Sequence, residues 1–199
     1  MFVDIVFPKN NEKEFIKTAK RLKTKALLFI YPDLKEPFEE KDVKIFTGVK
    51  CGSQNKLNKY YKKTSIIISE NTKRGMLTDK RVNLFFNFEN KFKKDSLHYR
   101  RSGINHITAK IISEKQKFYT LSFSNILNNK EDPKLFGRYM QNAMLLAKYR
   151  CNVIAASFAE DPWEMRSEKH LVSAAKSLDF SGKQLKEGKE KFFRFLERK

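Results

Sequence analysis

At 199 residues, with 40% hydrophobic and 33% charged residues, the chain is long enough to bury one core and too apolar for intrinsic disorder. No apolar run nears the roughly 20 residues that span a bilayer, and Cys51 and Cys151 lack CxxC pairing, which argues against a membrane-spanning helix, a zinc ribbon or a disulfide scaffold and predicts a cytoplasmic protein. The 42 Lys and Arg against 23 Asp and Glu leave a formal charge of +19, so the surface repels itself and calls for a polyanion, nucleic acid first and an anionic membrane surface second.

Phe2 to Phe7 reads as a strand closed by Pro8, and Asn11 with Glu14 forms a capping-box signature for a helix carrying Phe15, Ile16, Ala19 and Leu22. Ala26 to Tyr31 is apolar throughout, as in a strand buried on both faces of a parallel sheet. Val43 to Lys50 and Ser65 to Ser69 give the third and fourth strands. Between them Lys56, Lys59, Lys62 and Lys63 flank Tyr60 and Tyr61. Such interleaving can stack unpaired bases, and it equally fits one tyrosine packed inward among solvated lysines.

A short helix at 72–79 precedes a fifth strand, Val82 to Phe88, and a lysine-bearing loop from Asn90 to Tyr99. A helix over 104–115 and a sixth strand, Phe118 to Phe123, come next. Asp132-Pro133 caps the longest helix, whose stripe of Phe136, Met140, Ala143 and Ala147 reads as core. Asn152 to Ser157 is the seventh strand. A turn at Asp161-Pro162-Trp163-Glu164 leads through Arg166 to a helix from Glu168 to Leu178. The last segment starts at Ser181, is interrupted by Gly188, and ends in a basic aromatic tail over 188–199. Seven strand–helix units with several wholly apolar strands predict one α/β domain over 1–199, closed as a TIM-like barrel of parallel strands, with an open doubly wound sheet as the alternative.

The stretch Arg100-Arg101-Ser102-Gly103-Ile104-Asn105-His106 organises the second half. Ser102 is placed to cap the helix that follows, with Ile104, Ile107 and Ile111 inward and Lys110, Glu114 and Lys117 outward. Two arginines beside a helix N-terminus make a phosphate site, and the same residues also fit an ordinary cap with solvated arginines. A barrel would gather Arg100, Arg101, Gly103 and Arg166 on the rim formed by the loops that follow the strands. No Walker loop, GxGxxG, HxH or HExxH occurs, so nucleotide hydrolysis, nicotinamide chemistry and metal-water hydrolysis have no sequence support, and no catalytic residue or metal ligand stands out.

The run Arg101-Ser102-Gly103-Ile104-Asn105-His106-Ile107-Thr108-Ala109-Lys110, then Leu121-Ser122-Phe123-Ser124, Arg138-Tyr139-Met140-Gln141-Asn142 and Met165-Arg166-Ser167 resemble, in this order, the RNase P protein component 3 family. The resemblance spans residues 81 to 178. It implies a PHP-like TIM barrel serving as an RNA-binding subunit of ribonuclease P, which removes the 5′ leader of precursor tRNA. Catalysis then lies in Mg2+ held by the RNA, and the protein binds no cofactor. The implied partners are RNase P RNA, precursor tRNA indirectly, protein component 2 and other RNase P proteins. Arg100, Arg101, Ser102, His106, Lys110, Arg138 and Arg166 become the expected RNA contacts. PHP enzymes carry an HxH on the first strand, where this chain has Phe2-Val3-Asp4-Ile5-Val6. A stand-alone PHP-like phosphoesterase is the alternative. A membrane-surface role would rest on the Gly-broken tail, which predicts only weak binding, so no membrane partner is expected.

Overall fold

A computed structural model describes residues 1–35, 40–60 and 66–198. Among them seven strands form one sheet in sequential order, every neighbouring pair parallel: β1 (Asp4–Val6), β2 (Ala26–Tyr31), β3 (Lys44–Lys50), β4 (Ile67–Ser69), β5 (Leu84–Phe86), β6 (Phe118–Ser122) and β7 (Asn152–Ala156). The register runs from Asp4 opposite Leu27 at one edge to Ser122 opposite Ala156 at the other. The edges then meet. The Phe158 amide donates to Ile5 O at 2.7 Å, the Phe7 amide donates to Ala159 O at 2.8 Å, and Val6 bridges Ala159. This contact decides for the barrel over the open sheet.

At the seam Asp4 is wholly buried and accepts the Ser157 amide at 2.7 Å and the Ser157 hydroxyl at 2.5 Å. Burial pushes its carboxyl up to about 6, against the opposing pull of those bonds.

Alternate residues of each strand face in and out, so the barrel has two apolar layers. Ile5, Leu28, Ile68, Leu84, Phe86, Ile154 and Phe158 fill the interior. Leu27 and Phe29 pack outward on α1 (Glu12–Arg21), and Phe85, Tyr119 and Val153 pack outward on the later helices. α2 (Gln54–Tyr60) and α3 (Arg74–Thr78) are short. α4 (His106–Glu114), α5 (Phe123–Asn128), α6 (Pro133–Lys148), α7 (Glu168–Ser177) and α8 (Gly182–Glu197) complete the outer layer.

Several sequence expectations shift. Gly188 does not interrupt the last helix. α8 runs through it because the Val153 backbone lies so near that a Cβ would come 2.0 Å from its carbonyl oxygen. Phe192 and Leu196 then reach the inner layer, and Phe192 packs on Phe118 at 5.1 Å between ring centres. Strand six stops at Ser122, whose hydroxyl accepts the Asn125 amide at 3.3 Å and opens α5, a helix the strand reading had covered. Strand five stops at Phe86 because Asn87 turns left-handed at φ 54° into a 3-10 turn, Phe88–Lys91. On α6 the buried stripe is Leu135, Tyr139, Asn142, Ala143 and Leu146, and Met140, assigned to the core, is 40% exposed. Tyr60 packs inward, while Tyr61, Lys62, Lys63 and Ser65 lie outside the described residues. No helix among the described residues is long and apolar enough to cross a membrane.

Candidate nucleic-acid interface

The 3-10 turn after β5 buries Glu89 completely beneath the loop that leads to Arg100. Its Oε1 accepts the Tyr119 hydroxyl and the Asn142 side-chain amide. The same Asn142 Nδ2 donates to Ser102 O at 3.0 Å, so one carboxylate joins β6, α6 and the arginine loop. Burial raises the Glu89 carboxyl to about 7, outweighing the bonds it accepts and the nearby Arg138 charge.

Arg138, one helical turn earlier on α6, is only 4% exposed. Its Nη1 donates to the carbonyls of Glu89 at 2.9 Å and Phe92 at 2.6 Å, and its Nε donates to Asp95 Oδ1 at 2.8 Å. Its Nη2 lies 2.7 Å from the same carboxylate, completing an ion pair. Asp95 also accepts the Arg101 amide at 3.0 Å. Burial works to raise Asp95, but the Arg101 amide and the Arg138 guanidinium hold it below the usual carboxylate range. Arg138, named from sequence as an RNA contact, is thus the buried clamp under the loop. Its donors point at protein because the α6 face that carries it is turned inward.

Gly103 follows with φ 80°, where a Cβ would sit 2.1 Å from the Phe88 carbonyl oxygen, so only glycine fits. Ser102 is buried and donates to Ile104 O at 3.1 Å, so it does not cap α4. Asn105 does: its Oδ1 accepts the Thr108 amide at 2.9 Å. With the helix starting two residues late, its inward face is Thr108, Ala109 and Ile112, and Ile107, expected inward, is 53% exposed. Lys117, expected to point outward, is buried and donates to the carbonyls of Asp79 and Val82.

Between this loop, the start of α4 and α6 lies a cleft of about 710 Å³. Arg100, Arg101, Ser102 and His106 line it together, with Lys91 and Tyr99. The Arg101 guanidinium stacks over Phe92 at 5.5 Å, and the Gln141 amide reaches Arg100 O at 3.4 Å. No carboxylate among the described residues forms an ion pair with Arg100 or Arg101, whereas Lys110, a turn along α4, lies 3.8 Å from Glu114. Arg166 is not in the cleft. It sits in the loop after β7, over the Phe123 ring at 5.7 Å, and donates to the carbonyls of Trp163 and Met165. Sequence reasoning missed Glu89, Asp95 and Asn142 as supports. The available signal was Asp95, the one acid between Asn90 and Tyr99 amid three lysines.

The mouth of the barrel, at the strand ends, is aromatic. Phe86 stacks on Phe158 at 4.6 Å, Phe7 leans on both, and Lys50 lies over Phe86 at 5.2 Å while pairing with Glu70 at 2.7 Å. No group of three His, Cys, Asp or Glu among the described residues is placed to hold a metal ion. The residues present do not fit the metal centre of a PHP enzyme.

A sequentially ordered, helix-backed parallel barrel gives the chain a TIM-like fold. It superposes on histidinol phosphate phosphatase from Lactococcus lactis, solved with zinc, L-histidinol and phosphate, with a TM-score of 0.62 and 11% identity over 90% of this chain and 94% of that one. It superposes more fully on a chain of an archaeal ribonuclease P solved by cryo-electron microscopy with mature tRNA. There the TM-score is 0.74 at 20% identity, covering 97% of this chain and 90% of that one. In sequence it is similar to ribonuclease P protein component 3 from two strains of Methanococcus maripaludis, 27% identical over 137 residues, or 65% of this chain. The match spans 58% of the length of those curated relatives. No protein-family model matches the chain.

Proposed function

We propose that the chain is an RNA-binding protein subunit of a cytoplasmic ribonuclease P ribonucleoprotein, assisting its RNA in removing the 5′ leader of precursor tRNA. The cleft carries this reading: two arginines without acidic partners among the described residues, beside a helix N-terminus, held in place by the ion pair of the buried Arg138 with Asp95. Arginine contacts phosphate bidentately, and such a patch gains affinity by releasing counterions from RNA. The similarity to component 3 relatives supports the same reading. The partners are RNase P RNA, protein component 2 and, through the RNA, precursor tRNA. Mg2+ acts on the RNA.

Cleavage of precursor tRNA at limiting magnesium by RNase P RNA, with and without this chain plus component 2, tests the proposal. Leader removal that needs both proteins and stops when the RNA is omitted is the expected result. RNA activity indifferent to the proteins overturns it, and cleavage without RNA would bring back the phosphoesterase.

A further inference from the structure

We propose that the cleft beside α4 takes one unpaired RNA nucleotide, its base stacked on Tyr99 and its phosphate held by Arg101 and the first turn of α4. The inference rests on the RNA-binding reading above.

The first argument is shape. An A-form duplex presents a shallow minor groove and a ridge of phosphates, which can lie across a surface but not enter a concavity, whereas a base splayed from a loop or bulge can. The cleft, about 710 Å³, has room for such a base.

The second is the character of its walls. Ile104 and Leu145 give it apolar lining, and Tyr99 stands at its edge 62% exposed. The backbone that carries the ring is tied down. The Tyr99 carbonyl accepts the Ser96 amide at 3.0 Å, and two residues on, the Arg101 amide is tied to Asp95. An aromatic side chain on a tied backbone and open to solvent offers a face for stacking an unpaired base. The wall already stacks one flat group, the Arg101 guanidinium over Phe92.

The third is hydrogen-bonding capacity left unused. Thr72 Oγ1 is buried at the cleft without a partner, which is uncommon in a folded protein. Gln141 makes one long bond, to Arg100 O at 3.4 Å, which leaves its amide able to read a base edge. A site for phosphate alone would require neither the apolar lining nor these groups.

The experiment titrates the full chain, at one salt concentration, with a single-stranded RNA, an abasic sugar-phosphate strand of equal length and a blunt RNA duplex of equal phosphate count. The single strand is expected to bind about tenfold more tightly than either control, the scale of one base–aromatic stack. Tyr99→Ala should remove that margin, Tyr99→Phe should keep it, and Arg101→Ala should weaken all three ligands. Equal affinity for the three ligands, or a margin that survives Tyr99→Ala, overturns the nucleotide site. If precursor-tRNA cleavage still depends on the chain in that case, the RNase P reading stands and only this inference falls. If cleavage is also indifferent to the chain, both fall.

Discussion

The barrel mouth and the α4 cleft are built from the same materials, phenylalanine and long cations, with opposite results. At the mouth, where this fold exposes an active site, Lys50 rests on Phe86 and is neutralised by Glu70, beside a cleft of about 490 Å³ that Phe7, Tyr31 and Lys50 line. At the cleft the nearby acid, Asp95, is occupied by the buried Arg138, and Arg100 and Arg101 keep their charge for the outside. A net charge of +19 says little about where a polyanion binds. The arrangement of the carboxylates decides which cations remain uncompensated.

The sharpest way to break this contrast is Arg138→Ala. It leaves the half-buried Asp95 and the carbonyls of Glu89 and Phe92 without their donor and should cost about 2–3 kcal/mol in denaturant unfolding, with RNA affinity falling as the loop loosens. An unchanged unfolding midpoint would mean that the clamp is not what holds the loop. Next in size is the pH dependence of stability. The Glu89 carboxyl is raised from 4.5 to about 7 on folding, so the folded state binds the extra proton between those values. The Glu89 contribution to stability should therefore be full below about pH 4.5, fall by on the order of a few kcal/mol as pH rises to about 7, and then level off. Glu89→Gln should flatten most of that slope in urea titrations. Asp4, raised from 3.8 to about 6, would leave a remainder of the same sign.

Arg101→Ala should lower RNA affinity and reduce the slope of log affinity against log salt by about one contact, while Lys183→Ala, outside the cleft, should do neither. Equal effects from the two would mean diffuse attraction rather than a site. The smallest effect belongs to the mouth. Lys50→Met should change stability by no more than about 1 kcal/mol, because the pair it breaks with Glu70 is largely solvated, and RNA affinity should hold.

The strands were legible because their signal is local: Ala26 to Tyr31 is apolar throughout and all six residues are buried. The cap at Asp132 was legible for the same reason, its side chain accepting the Lys134 amide at 2.9 Å. The phase of the helices was not. Ile107 and Met140 share the chemistry of core residues, and what turned them outward was the Asn105 cap in one case and the inward pull of Arg138 and Asn142 on α6 in the other. The cleft was half legible. Arg100, Arg101, Ser102 and His106 are contiguous and arrive together, but their support comes from Glu89 and Asn142, 53 positions apart, and from Asp95 and Arg138, 43 positions apart. Pairings of that length leave no periodic trace in a single sequence.

The seam between β1 and β7 also governs how the molecule forms. Asp4 and Ser157 are 153 positions apart, so closing the barrel ties off about three quarters of the 199 residues in one loop, a step whose entropy must be spent before any of its hydrogen bonds form. Closure of that kind comes late. Loosening it with Ser157→Ala would leave the folding rate nearly unchanged and hasten unfolding, so the joint between the first and last strands sets the lifetime of the folded barrel rather than the speed at which it is reached.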